Sequence, residues 1–488
     1  MSYVLGLDLG TSSLKGIIVD EEGQIVFESS VSYPVFHSDG GVSEQVPNVW
    51  LEACDRLFDD IRNYHQDLLE GLKGISFSGQ MHSLVLLDNK KNVLRNAILW
   101  NDTRTTLQCE EINRNPMVFE ITKNKALEGF TLPKLLWVKE NEPDIWGKVA
   151  YVLLPKDYLR YYLTGKLNMD YSDASGTLML DMKQEKWSEE ILEYFGIPKN
   201  ILPKLVNSID SVGFLRKELK DKYGIRHQVN IFAGGADNAC AAIGAGLCNE
   251  GNGLCSIGTS GVLLTLKNHL NDIKLSSLHT FIHAIPNKYY SMGVTLSAGD
   301  SLKWFKENFY PETSFNELMK IVDGITVGSE GILFAPYLSG ERCPHTDATI
   351  RGAFIGVTHQ HTVEHFLSAV VEGITFSLKD VLELLENTKG LNLNSIVSVG
   401  GGAKSVTWLQ MQSDVFNKHV LSLKEEQGPA LGAAIIAMVG LKWYDNFDDA
   451  FKKMISIKKE YVPNKRTIEE YDEAYHRFKK IYTAIKNI

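Results

Sequence analysis

Apolar residues fill 3–9 ("YVLGLDL") and 14–19 ("LKGIIV") almost without a break, and four small residues, Gly10, Thr11, Ser12 and Ser13, part the two runs. Short apolar runs bounded by turn residues predict buried strands. A third strand is predicted after the turn "DEEGQ" at 20–24. Through 48–65 ("NVWLEACDRLFDDIRNYH") the apolar positions instead recur every three or four residues, which predicts an amphipathic helix. "GLKGISFSGQ" at 71–80 reads as a buried strand ending in small residues, and 82–102 as a hairpin. Residues 131–163 read as helical, with breaks around Pro143 and Pro155. "YLRYYLTGKLNMDYSDASGT" at 158–177 reads as mostly connection.

Near 229 the strand–turn pattern starts again. "VNIFAGGADN" at 229–238 is a strand and a turn, and "GLCSIGTSGVLLTL" at 253–266 is strand, Gly-Thr-Ser-Gly turn and strand. The second echoes "LGLDLGTSSLKGII" at 5–18. Two copies of one supersecondary unit predict two α/β domains of related design. Helices are predicted over 362–388, 405–417, 428–441 and 466–488, and a strand over 394–399 opens into "GGGAKS" at 400–405. With 488 residues the chain exceeds what one ordinary core supports. The expected boundary falls in "CNEGNG" at 248–253, giving domains 1–248 and 249–488.

Composition narrows the function. The chain is 44% hydrophobic and 23% charged with a formal net charge of −10, a globular profile whose surface repels nucleic acid. Its basic pieces, "KNK" at 123–125 and "FKKMISIKK" at 451–459, are short and read as solvated faces. No apolar run reaches membrane-spanning length, so no membrane partner is expected. "MSYVLGLDLG" carries no basic flank and no cleavage-like site, and the six cysteines form no CxxC pair, so a cytoplasmic protein with reduced thiols is expected.

The chemistry lies in the turns. Gly-rich turns with Thr and Ser point backbone N–H groups and hydroxyls into one concavity, which is an anion site. A pair of them suits a polyphosphate. Asp8, before the first turn, is either a ligand in a Mg²⁺ shell or a turn cap. Lys15 is either a phosphate contact or a solvated strand lysine. "VGGGAKS" at 399–405 lacks both the P-loop and the dinucleotide spacing, and serves either as a tight turn or as a strip lying flat against a base or ribose. "QGPALGAA" at 427–434 permits close approach of two helices, or of a helix and a ligand. "SGQMHS" at 78–83 and "LWNDTR" at 99–104 place Gln80, His82, Asn101, Asp102 and Arg104 at strand ends, where they either bind a polyol or satisfy their own loops. Asp237 in "GGADNA" either caps the helix that follows or serves as a carboxylate base.

Taken in order, these segments resemble the FGGY family of sugar kinases over nearly the whole chain. "GFTLPKLLWVKEN" at 129–141 and "GAFIGVTHQHTVEHFLSAVVEG" at 352–373 resemble the two long family signatures. "LDLGTSSLK", "SGQMHS", "ILWNDTR", "LLPKDYLR", "SDASGT", "GGADNA", "IGTSGV", "YLSGER" and "GGGAKS" resemble the members that act on a ketopentose. The resemblance implies two actin-like (ribonuclease H-like) α/β ATPase domains facing each other across a cleft, with sugar on the N-terminal side and nucleotide on the C-terminal side. It implies ATP-dependent phosphorylation of D-xylulose to D-xylulose 5-phosphate with Mg²⁺. Asp237 would be the catalytic base, held ionised by the helix N-terminus, and Asn238 would place the sugar. Met81 and His82 would touch the ketose, with Gln80, Asn101 and Asp102 near it. Asp8 would hold metal-bound water and take part in catalysis. Thr11, Ser12 and Lys15, with Gly258, Thr259 and Ser260, would grip phosphate, and Gly401, Gly402 and Lys404 would line adenine and ribose. A homodimer is also implied. The alternatives are a family member for another ketose or polyol, such as ribulose, and an actin-like ATPase scaffold with no sugar, against which Asp237 speaks because a scaffold needs no acceptor base.

Overall fold

The computed structural model describes residues 1–270, 273–387 and 391–488. The chain groups into two compact units. One is Met1–Cys248 with Phe281–Tyr289 and Gln427–Ile455, and the other is Asn249–Thr280 with Tyr290–Glu426 and Ser456–Ile488. The chain thus returns to the first unit after 248, and two contiguous halves do not describe this grouping.

The first unit is built on a sheet ordered Ser211–Phe214, Asn230–Phe232, Leu72–Gly79, Tyr3–Leu9, Ser13–Asp20, Ile25–Ser32, with Gly235–Ala236 also pairing with Leu72–Gly79. Tyr3–Leu9, Leu72–Gly79 and Asn230–Phe232 run parallel, and the Ser13 strand turns back antiparallel. The parallel strands carry large apolar residues on one face and mostly small ones, such as Gly6, Gly74 and Ser76, on the other, where a Cβ on Gly6 would stand 2.2 Å from the Ala430 carbonyl oxygen. Leu5, Leu7, Leu9, Ile75, Phe77 and Ile231 all lie in one buried cluster. The helix Asn48–Tyr64 buries Trp50, Cys54, Leu57, Phe58 and Ile61, the stripe its periodicity predicted. The helices Asp237–Gly244 and Gly428–Gly440 pack without a gap. A Cβ on Gly432 would stand 1.9 Å from the Cys240 carbonyl oxygen, so only glycine fits there. Of the two readings for "QGPALGAA", helix against helix is the one seen.

The second unit repeats the plan. Its sheet runs His279–Ile282, Tyr289–Thr295, Gly261–Lys267, Asn252–Ile257, Ser395–Gly400, His419–Leu423, Ile457–Tyr461. Asn252–Ile257, Ser395–Gly400 and His419–Leu423 are parallel neighbours, the Gly261 strand is antiparallel to the first of them, and the Ile457 edge strand is antiparallel to the last. In both units, then, a strand–turn–strand hairpin leads into two further parallel strands and an antiparallel edge, as the sequence echo predicted. The helix Val363–Glu386 is buried along most of its length. Thr388, the last residue of the predicted helix, lies outside the described residues. The tail helix is broken into Lys465–Phe478 and Ile481–Ile485. Among the described residues, no helix is long and apolar enough to cross a membrane.

One expectation is corrected. Residues 158–177 are not mostly connection: the helix Pro155–Thr164, within the stretch read as helical to 163, is followed by the strand Asn168–Asp170 and the helix Tyr171–Ser175, most of them buried. Its polar residues misled because they are buried in pairs.

Candidate active site

Three parallel segments of the first sheet end together. Asp8 is the register partner of Ser78 and of Lys15, Leu9 pairs with Gly79, and Gly79 pairs with Ala236. Asp8, the loop after Gly79 and Asp237 are therefore delivered to the carboxyl ends of parallel strands, where open α/β sheets bind ligands. Asp237 is the first residue of its helix, and Ala236 holds the cap position. The expected cap is thus corrected. The Asp237 side chain folds onto its neighbour instead, with Oδ1 accepting from Asn238 N at 2.6 Å and from Asn238 Nδ2 at 2.9 Å.

Its ionisation is corrected as well. Burial pushes the Asp237 carboxyl up to about 7, the Asp8 charge adds to this, and the Asn238 hydrogen bonds offset only part of it. Lost hydration and a like charge outweigh the dipole of one short helix. Asp8 is likewise raised by burial, with Ser78 and Lys15 pulling the other way. Both carboxylates keep part of their surface open. A half-buried carboxylate that titrates near neutrality has the properties of a general base.

The surrounding polar residues divide into open and closed. The 10–13 turn is pinned by Gly10 N donating to Ser13 O at 3.0 Å, Tyr33 Oη to Gly10 O at 2.6 Å and Trp100 Nε1 to Thr11 Oγ1 at 2.8 Å, while Ser12 is exposed. Lys15 Nζ meets Glu28 Oε1 at 2.9 Å and Gln427 Oε1 at 2.7 Å, so here its ammonium serves this pair rather than the turn. Gln80 is turned inward, donating to Gly10 O at 3.4 Å and accepting from Ser83 Oγ at 3.0 Å. Asp102 is fully buried and taken up by Ser43 N at 2.7 Å and Arg104 Nη2 at 2.6 Å. Asn101 Oδ1 accepts from Ser43 Oγ at 2.8 Å. Gln80 and Asp102 thus hold loops in place, the bland alternative left open by the sequence.

His82 is set apart by its backbone, at a φ of +69°, rare for a non-glycine residue. Thr131 Oγ1 at 3.0 Å and the buried Lys134 Nζ at 3.2 Å donate to its carbonyl. Its Nδ1 lies 2.6 Å from the Gly176 carbonyl oxygen, and its ring leans on Phe130 and Phe281. A carbonyl only accepts, so in this contact Nδ1 donates. Met81 is buried beside it.

In the second unit Gly258 and Thr259 stand exposed on their turn. Thr259 O accepts from Ala298 N at 3.0 Å and Asp300 N at 3.1 Å, and Gly258 O from Gly299 N at 2.8 Å. A Cβ on Gly299 would stand 2.4 Å from Gly258 O, so glycine lets the turn lie on the start of the helix Gly299–Phe309. Gly258 and Thr259 line a cavity of about 430 Å³ with Gly401, Gly402 and Lys404, walled by Ile257, Leu302, Met319 and Trp408. One phosphate-type turn is thus joined to an apolar slot.

Residues 3–244 match the FGGY family of carbohydrate kinases, N-terminal domain, and residues 253–441 match its C-terminal domain. The chain belongs to the FGGY family of carbohydrate kinases. It is 48% identical over 491 residues to the xylulose kinase of Lactococcus lactis subsp. lactis (strain IL1403), covering 100% of this chain and 98% of that one. Among solved structures it resembles the ligand-bound xylulose kinase of Lactobacillus acidophilus, at 27% identity and a TM-score of 0.94 over 100% of this chain and 99% of that one. It equally resembles the gluconate kinase of the same organism, at 27% identity and a TM-score of 0.93 over 99% and 98%. Overall shape in this family therefore does not choose the sugar. Its two α/β domains are those of the FGGY kinase fold.

Sequence reasoning missed several residues of this site. Lys134 lies inside the first FGGY signature, yet nothing in the signature announced that it props His82. Asp300, Met319 and Trp408 line the cavity from helices whose facing only the fold decides. "SAGD" at 297–300, a strand end running into a helix start, is the one signal that pointed there.

Proposed function

We propose that this chain transfers the γ-phosphoryl group of ATP to the 5-hydroxyl of D-xylulose, giving D-xylulose 5-phosphate and ADP. The observation that carries the chemistry is Asp237, a half-open carboxylate at the ends of parallel strands, pushed up to about 7 beside Asp8. Likeness to xylulose kinases along the whole chain supports the sugar.

The hydroxyl oxygen bonds to the γ-phosphorus as the bond to the bridging oxygen breaks, and Asp237 receives the hydroxyl proton. Both Asn238 hydrogen bonds fall on Oδ1, so Oδ2 is the oxygen assigned to the sugar. His82 is assigned to touch a ketose hydroxyl through its ring, as expected from the family resemblance. Met81, Asn101 and Asn238 stand around the sugar, and Gln80 and Asp102 act one layer back. Thr11 and Ser12, with Gly258, Thr259 and Ser260, are assigned to phosphate. Gly401, Gly402 and Lys404 are assigned to adenosine, for which the apolar slot has the matching chemistry. Two half-open carboxylates raised together are a hard oxygen set that fits Mg²⁺ at Asp8. Bound there, Mg²⁺ would supply positive charge against the phosphates. A cytoplasmic location and a homodimer belong to the same proposal.

The test is ATP turnover by purified protein over D-xylulose, D-ribulose, gluconate, glycerol and L-fuculose. D-Xylulose should show the highest kcat/KM, with a product phosphorylated at O5. A higher kcat/KM for any other member of the panel would replace the sugar while keeping the reaction.

A further inference from the structure

Five charged side chains beside the Asp237 turn have no access to solvent. Lys156, Asp157 and Arg160 come from the helix Pro155–Thr164, and Asp170 and Asp173 from the chain that follows it. They belong to "LLPKDYLR" and to the stretch ending in "SDASGT", motifs to which no role has yet been given. Asp157, Asp170 and Asp173 lie close enough together to hold a cation. That cation is already present. Lys156 Nζ is ion-paired with Asp170 Oδ1 and lies 3.1 Å from Asp173 Oδ2. Burial raises the Asp173 carboxyl well above its ordinary value, with Lys156 pulling the other way.

The cluster leads out to the turn through one hydroxyl. Asp170 Oδ2 accepts from Ser172 N at 3.0 Å and from Ser172 Oγ. Ser172 Oγ in turn accepts from Ala236 N at 2.9 Å. Ala236 directly precedes Asp237. At the other end of the turn, Arg160 Nη1 donates to Ala233 O at 2.5 Å, and Arg160 Nη2 donates to Asp157 Oδ1 at 2.8 Å. A serine hydroxyl has one hydrogen and can rotate. With that hydrogen drawn to Asp170, a lone pair is left facing the Ala236 amide. Buried charge is thereby used to set one rotor, and the rotor sets one backbone amide.

We propose that Ser172 is a positioning residue for phosphoryl transfer, fixing through the Ala236 amide the place of the Asp237 carboxylate. The proposal rests on the reading of Asp237 as the base. Misplacing a reacting group by about 1 Å costs on the order of 10²-fold in rate, so a loosened turn should show in kcat.

Ser172→Ala removes the acceptor. Ser175→Ala is the control: on the same helix, Ser175 Oγ accepts from Ile282 N at 3.1 Å and donates to Ser172 O at 2.7 Å, with no bond to the turn. The readouts are kcat and KM at saturating cosubstrate, melting temperature, and hydrogen exchange of the peptide spanning 233–239. Ser172→Ala should lose about 10- to 100-fold in kcat with KM for ATP within about twofold, and its turn should exchange at least about tenfold faster. Ser175→Ala should keep kcat within about threefold and the turn protected. Parent-like exchange in Ser172→Ala, a kcat within about threefold of the parent, or an equal kcat loss in Ser175→Ala would each overturn the proposal. If Ser172→Ala does not fold, Ser172→Cys, close in size and a weak acceptor, is judged by the same criteria. Full activity in Asp237→Asn would overturn the base reading and this proposal with it, whatever the exchange result, so the two failures are told apart.

Discussion

Asp237 has opposing effects on stability and turnover. Its carboxyl is pushed from 3.8 up to about 7 by burial first and by Asp8 second. Between those values the folded chain binds a proton that the unfolded chain has released, so this residue's contribution to stability is full below about pH 4 and is lost as pH rises through about 7. Asp237→Asn has no such loss. In metal-free buffer without nucleotide it should melt above the parent at pH 8, by about 1–2 kcal/mol once the residue's partial exposure is discounted, with the gap closing toward pH 4. A gap that stays constant from pH 4 to pH 8 would show that the carboxyl is not raised. The same variant should lose about 10²- to 10⁴-fold in kcat at saturating xylulose and ATP. A kcat within about threefold of the parent would remove Asp237 from the chemistry. "GGADNA" made the residue legible in the sequence. Its ionisation was not, because it depends first on burial and then on the charge of Asp8, which lies far away in the chain, and only the fold supplies both.

Elements defined by apolar period were legible, and elements held by buried charge were not. The helix Asn48–Tyr64 and the hairpin around Gly10 follow directly from their patterns. The stretch 165–175 did not, because Asp170 and Asp173 look solvent-loving and yet are buried against Lys156. The helix Gly428–Gly440 shows the reverse case, in which small residues announced a close contact but not its partner. That partner is the helix that begins at Asp237, so a packing defect there should be felt at the site. Gly432→Ala would drive a methyl group into the Cys240 carbonyl, a clash with backbone that no rotamer can relieve. It should cost about 1–3 kcal/mol in urea unfolding and lower kcat more than it raises KM for ATP. Parent-like unfolding would mean that the two helices separate at little cost.

At the scale of the whole molecule, the duplicated sheet plan explains why two similar turns do different work. Each hairpin turn stands at the carboxyl end of its unit's parallel strands, but the neighbours differ. In the first unit the neighbours are Asp8, His82 and Asp237, and in the second they are Gly401, Gly402 and an apolar cavity of about 430 Å³. The echo in the sequence revealed the duplication, but not that Gln427–Ile455 returns to the first unit, because a helix that closes a distant sheet carries no local sign of its destination. If each substrate is read by one unit, single substitutions should separate the two. Thr259→Val removes an exposed hydroxyl from the phosphate-type turn and should weaken ATP use by about 1–3 kcal/mol, or roughly 5- to 150-fold in KM, with KM for xylulose within about twofold. His82→Ala removes the assigned sugar contact and should raise KM for xylulose by a similar factor, leave KM for ATP within about twofold, and narrow the preference for xylulose over ribulose. Melting curves for both variants guard against loss of fold, which matters most for His82 because Thr131 and Lys134 already hold its strained backbone. The decisive result is the crossed pattern. If either variant moved both KM values equally at an unchanged melting temperature, the division of labour between the units would fail, even if both residues proved essential.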